Sequence, residues 1–190
     1  AGGGQWPEPN AFAPGTERRS FFWARNASNT LDFSDEYNQA ATPPYRAESW
    51  YTGAKSAPAG RCVWSDAYQD PVSGVAMTTC SVPYRAQGAF AGVATIDLKL
   101  DGLAAFLKDK GGVTDGYAFA VDPSGNLLYF PDAKGTKGLL TITGLSQEQP
   151  WLKPVADQLA SNTSALSTLR LEHDGRLNGP AYVTLATMTG

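Results

Sequence analysis

Apolar and polar positions alternate most clearly over residues 62 to 98, which read CVWSDAYQDPVSGVAMTTCSVPYRAQGAFAGVATIDL. Short runs rich in Val, Thr, Tyr and Phe are separated by the turn signals DPVSG and RAQG, the punctuation of consecutive antiparallel strands. The pattern predicts a three-stranded meander. Its first strand passes through Val63, Trp64 and Tyr68, its second covers residues 75 to 84 and its third residues 89 to 98, with turns at 70 to 74 and 85 to 88. Before it, residues 20 to 26 read as a strand, NASN as a turn and residues 30 to 33 as the partner strand. The Pro-rich first twenty residues read as loop, pinned by Trp6 and Phe12, and residues 45 to 55 hold at most a short helix after a Pro pair. After the meander, Leu103, Phe106 and Leu107 lie at helical spacing between a candidate N-cap, Asp101, and the stop Gly111-Gly112. A hairpin follows around the turn 122 to 125, then a helix begun by Pro150 with Trp151, Val155 and Leu159 on one face. A third hairpin pairs residues 167 to 173 with 181 to 188. This order defines an α+β chain, and the helix from Asp101 is a natural joint between two sheet-bearing modules, 1 to 100 and 101 to 190.

Both cysteines fall inside the meander. With the first turn centred on Pro71, Cys62 falls opposite Cys80, and such cross-strand neighbours need only slight closure to suit a disulfide. Two reduced, buried thiols are the competing reading.

Composition narrows the function classes. The chain has 190 residues, enough for one large domain or two small ones, and its 15 basic and 18 acidic residues leave a net charge of −3. That balance provides no electrostatic footprint for nucleic acid or anionic lipid. No apolar run approaches the roughly 20 residues that span a bilayer, and the start AGGGQWPEP lacks the parts of a signal peptide. The expected molecule is soluble as given, either a mature secreted protein or a piece lying between membrane segments. One histidine, His173, provides no zinc cluster, and no nucleophile elbow or phosphate loop is present. Neither EF-hand spacing nor any other metal motif occurs, although Asp66, Asp70 and Asp97 could meet in space. No catalytic residue, metal or cofactor is expected. What remains is a concentration of aromatics and acids: Glu48, Trp50, Tyr51, Trp64, Asp66, Tyr68, Asp70 and Asp97. Aromatic walls with a few carboxylates are the materials of a small-ligand pocket, particularly for a cation. The competing reading makes Trp64 and Tyr68 packing residues, Asp66 and Asp70 turn residues and Glu48 a solvated charge.

Six segments in order, WPEPNAF at 6 to 12, ESWY at 48 to 51, WSDAYQD at 64 to 70, TCSVPY at 79 to 84, GAFAGVATIDL at 88 to 98 and GYAFAVDPSG at 116 to 125, resemble the double Cache family. These are the extracytoplasmic sensor domains of bacterial chemoreceptors, histidine kinases and diguanylate cyclases. The resemblance implies two PAS-like modules in series, antiparallel sheets flanked by helices. The membrane-distal module, 1 to 100, would bind the ligand and the proximal one, 101 to 190, would relay. It further implies a periplasmic or extracellular location and a membrane-anchored, homodimeric parent receptor. The family's N-terminal stalk helix and first strands have no counterpart here, and the chain stops at the last strand, so a trimmed domain is expected. The amino-acid-binding branch carries an R-x-W-Y signature, then Y-x-D, then an Asp closing the G-V-x-x-I-D strand. Trp50, Tyr51, Tyr68, Asp70 and Asp97 match it, while Glu48 stands where the branch has its Arg and Pro43 where it has its upstream Tyr. The half that holds an ammonium group is retained and the half that holds a carboxylate is not. With Glu48, Asp70 and Asp97 around Trp50, Tyr51 and Tyr68, the expected ligand is a small amine or quaternary ammonium compound. The alternatives are an amino acid whose carboxylate is held by Arg46 or backbone N–H groups, a pocket serving a partner protein, and a secreted binding module that belongs to no receptor.

Overall fold

A strand runs where the sequence predicts loop. In the computed structural model, which describes residues 2–112, 115–131, 133, 140–161 and 166–187, β1 is Gly2–Pro7. It lies in the middle of a sheet, antiparallel to β2 (Phe21–Arg25) on one side and to β7 (Ala89–Lys99) on the other. A glycine-rich, Pro-flanked segment has poor strand propensity of its own. Its place comes from its neighbours, because the missing side chains let their backbones close in. A Cβ at Gly4 would lie 2.6 Å from the Phe21 carbonyl oxygen, and one at Gly3 would strike that of Thr95.

The chain divides into two compact units, residues 1 to 102 and 103 to 189. The first holds an antiparallel sheet in the order β3, β2, β1, β7, β6, β4, with β5 also pairing β6. Here β3 is Leu31–Ser34, β4 Val63–Trp64, β5 Tyr68–Gln69 and β6 Ala76–Ala86. The meander and the first hairpin stand as read. Their register differs. Trp64, not Cys62, lies opposite Cys80, and Tyr68 lies opposite Met77, because the connection closes from Asp70 to Val75 around a left-handed Gly74 and not on Pro71. Two 3-10 turns, Glu36–Asn38 and Tyr45–Ala47, and the short helix α1 (Ser49–Ala54) cover one face of the sheet. Trp6, Phe22, Tyr37, Tyr45, Trp50, Tyr51, Ala54 and Val93 form the core between them.

Helix α2 (Leu100–Gly111) follows β7 directly, so Asp101 sits in its first turn and does not cap it. The second unit holds β8 (Ala120–Val121) paired with β9 (Leu127–Tyr129), and β10 (Ser167–Asp174) paired with β11 (Gly179–Leu185). Between the two hairpins lie α3 (Ile142–Glu148), capped by Thr141, a 3-10 turn Pro150–Leu152, and α4 (Lys153–Ala160). The periodicity around Trp151 marked the last two. Helix α3 has too few turns to show a stripe and escaped notice. The predicted end of the last strand, at 188, lies outside the described residues. Leu127, Phe130, Ile142, Leu145, Leu152, Val155 and Leu171 are the buried centre of this unit. The α+β reading, with antiparallel sheets flanked by helices, is borne out. No described helix is long and apolar enough to cross a membrane.

Candidate ligand-binding site

Alternation along three strands puts Trp6, Met77, Thr95 and Asp97 on the face of the sheet that meets the core, where they border a cavity in the first unit. Tyr68 on β5, the facing partner of Met77, and Phe22 on β2 border it from the same sheet, and Tyr37, Trp50 on α1 and Asp70 just after β5 complete the lining. The cavity measures about 10 Å³, the room of one water.

Two buried carboxylates face it. Asp70, 5% exposed, accepts one bifurcated hydrogen bond from the Tyr37 hydroxyl, 2.9 Å from each of its oxygens, and 2.6 and 2.7 Å bonds from the Ser73 N–H and hydroxyl. It is therefore a turn residue and a cavity residue at once. Asp97, 6% exposed, lies on β7 opposite Gly2 and Thr79 and accepts a 2.9 Å bond from the Thr79 hydroxyl. That hydroxyl has one hydrogen, so the 2.7 Å contact between Tyr68 and Thr79 must be donated by Tyr68. The chain Tyr68 to Thr79 to Asp97 fixes the acid's orientation. On the far side, Trp6 donates through Nε1 to Thr95 at 2.8 Å.

Burial raises the Asp97 pKa, and the nearby Asp70 charge raises it further, while the Thr79 bond works the other way. Burial and the same Asp70 charge raise that of Glu48. Both shifts reflect the cost of collecting negative charge in a partly desolvated place. For Asp97 the folded pKa stands above the unfolded 3.8, so the favourable term is fully present below that pH and is lost as pH rises through the folded value. Asp97→Asn should accordingly raise the melting temperature at neutral pH without ligand, and this advantage should shrink in melts run down through the carboxylate range.

Of the predicted site residues, Trp50, Tyr68, Asp70 and Asp97 are brought together. Tyr51 is not. It is fully buried, but its hydroxyl donates to Glu8 at 2.9 Å, and Glu8 pairs with Lys55 at 3.0 Å, which makes a separate cluster. Glu48 is the N-cap residue of α1 and lies beside the cavity lining, near enough to feel Asp70. Arg46 reaches Glu17 at 3.0 Å and is absent from the lining. Trp6, Phe22, Tyr37, Met77 and Thr95 also line the cavity and were missed, Trp6 having been read only as the anchor of a loop. Tyr37 had no spacing signal, sitting alone in a loop, whereas Thr95 and Met77 follow from the inward parity of Asp97 and Thr79 once the register is known. Cys62 and Cys80 are joined in a disulfide with Cα atoms 5.5 Å apart, reached diagonally instead of across a facing pair. His173 is exposed on β10.

An antiparallel sheet with short helices over one face and an aromatic, acidic cavity between them is the architecture of a small-molecule sensor module. Residues 1–105 match the family described as methyl-accepting chemotaxis protein-like, first PDC sensor domain, and the chain belongs to that family. It is 31% identical over 121 residues to the methyl-accepting chemotaxis protein McpC of Bacillus subtilis (strain 168), an overlap of 64% of this chain and 17% of McpC. The chain thus spans less than a fifth of that relative's length. The crystallised extracellular domain of mmHK1S-Z3, a candidate histidine kinase, superposes with a TM-score of 0.66 at 20% identity, over 96% of this chain and 66% of that one. The ligand-binding domain of the Pseudomonas aeruginosa PAO1 amino acid chemoreceptor PctB, in complex with L-Gln, has a TM-score of 0.50 at 24% identity, over 82% and 57%. The last two likenesses are of fold. The family is one of receptor sensor domains, not of catalytic domains, and its members face the outside of the membrane. A disulfide is at home in that compartment.

Proposed function

We propose that residues 1 to 102 are the ligand-binding module of a membrane-anchored, homodimeric receptor, that their ligand is a small organic cation, an amine or quaternary ammonium compound, and that the second unit relays the signal and catalyses nothing. One observation carries the ligand class: Asp70 and Asp97 border a cavity walled by Trp6, Tyr37, Trp50 and Tyr68, and no Lys or Arg is among the described residues that line it. An anion would add like charge to a site where Asp97 and Glu48 already hold protons more tightly than usual. A cation relieves that repulsion and gains about 0.5 to 2 kcal/mol from each aromatic face it meets. Because about 10 Å³ holds no amine, the Tyr37 and Trp50 wall must part from the sheet to admit one. Ligand then shifts the population between a closed and an open wall, which is a change that a second unit can relay.

An amino acid is the second reading, favoured by the likeness to PctB with its bound L-Gln. With Arg46 engaged by Glu17, the carboxylate of such a ligand would rest on backbone N–H groups. A thermal-shift screen of amines, amino acids and organic acids separates the readings. Amines should stabilise by about 2.7 kcal/mol at a hundredfold excess over Kd, a rise of several degrees that disappears in Asp97→Asn. Stabilisation by carboxylic acids alone would refute the cation site.

A further inference from the structure

The second unit holds an open pocket of about 310 Å³, within the size range of small-molecule sites. Phe130 and Pro131 at the end of β9 form one side, Gln149 and Trp151 at the passage from α3 to α4 another, and Gly175 and Arg176 in the β10–β11 turn the rim. Its construction repeats a device of the first unit. There, a buried Asp70 opens a hairpin turn and is clamped by the hydroxyl of Tyr37, with Trp50 from a helix nearby. Here, Asp174, 1% exposed, opens the turn of the last hairpin. It accepts a 2.8 Å bond from the Tyr117 hydroxyl and bonds of 2.8 and 2.9 Å from the N–H groups of Arg176 and Leu177. The turn is locked, and Trp151 lies flush against it, since a Cβ at Gly175 would strike its Nε1.

The charges, however, are reversed. In the first unit both acids face the cavity. In the second, the oxygens of Asp174 are engaged by Tyr117 and backbone, and Arg176 is the one charged side chain among the described residues that line the pocket. Its guanidinium carbon lies over the Tyr117 ring, 5.4 Å from the centroid, and a guanidinium is a planar fork of N–H donors that matches a carboxylate. Arginine has five donors and can keep partners within the protein while serving a ligand. Gln149 brings a side-chain amide, and Phe130, Pro131 and Trp151 an apolar wall.

We propose that this pocket is a second binding site, for a small carboxylic acid with a flat apolar body. The proposal does not depend on the ligand assigned to the first unit.

The test uses the intact chain, labelled with 15N, and benzoate as the probe, with benzylamine and chloride at matched ionic strength as controls. The five tryptophans give five indole N–H signals, and Trp151→Phe identifies the one at issue. Benzoate should move the Trp151 signal saturably and leave those of Trp6 and Trp50 in place. Arg176→Ala, an exposed position, should weaken the response about tenfold or more, the effect of losing a charge-assisted hydrogen bond, and Arg176→Lys should restore part of it. A Trp151 signal that ignores benzoate, that responds equally to benzylamine, or that responds unchanged in Arg176→Ala overturns the proposal.

Discussion

Trp6→Ala should lower the stability of the first unit by about 3 to 5 kcal/mol, the cost of deleting a large aromatic from a packed interior. The ring is 2% exposed and stands at the centre of the aromatic core, with Phe22, Tyr37, Tyr45 and Trp50 at centroid distances of 5.6, 5.0, 5.2 and 4.9 Å. Its removal also takes from Thr95 the indole donor that it accepts from inside the cavity wall. Trp6→Phe should cost less because most contacts persist, and Trp23→Ala, at a site 40% exposed, about 1 kcal/mol or less. Urea unfolding followed by circular dichroism measures all three. A Trp6→Ala midpoint within error of that of Trp23→Ala would show that this core is not what holds the sheet together.

Removing the disulfide is the second large effect. Cys62 and Cys80 are 18 residues apart in sequence, and on the chain-entropy account opening a loop of that length costs about 3 kcal/mol. The double variant Cys62→Ser, Cys80→Ser should show that loss in urea, and reductant should reproduce it in the parent chain but not in the variant. Thiol titration of the unfolded, unreduced protein should find no free cysteine.

The disulfide shows how a correct conclusion can follow from an inexact geometry. Strand alternation located β6 and β7 to within a residue or two, but hairpin register depends on where the turn closes, and Pro71 lies within a longer connection than its presence suggested. The cysteines still meet because a diagonal offset of two residues remains within disulfide reach. Strand β1 was illegible for a different reason: nothing in GGGQWP favours extension, and the pairing is imposed by β2 and β7 from outside. The candidate site divides along the same line. Asp97, Asp70, Tyr68 and Trp50 lie in segments whose local pattern placed them on known elements, and they converge. Tyr51 was expected beside Trp50, yet adjacent residues on a helix point about a quarter-turn apart, and its hydroxyl finds Glu8 instead. Tyr37 reaches Asp70 across tertiary space, which no spacing along the chain could reveal.

The place of β1 also bears on how the molecule comes into being. Gly2 lies opposite Asp97 and Pro7 opposite Gly92, so the middle of the sheet is completed by joining the two ends of the first unit. Contacts of such long sequence separation are slow to form, because the loop must be closed before they reward it. A chain that emerges with its amino terminus leading cannot complete this sheet until β7 has followed. Until then Trp6, the hub of the core, lacks Val93 and the Thr95 hydroxyl that accepts from its indole. Strand β1 can pair β2 early but gains its other neighbour only when β7 is made, and a chaperone or export factor that shields an unfolded edge would act over that interval.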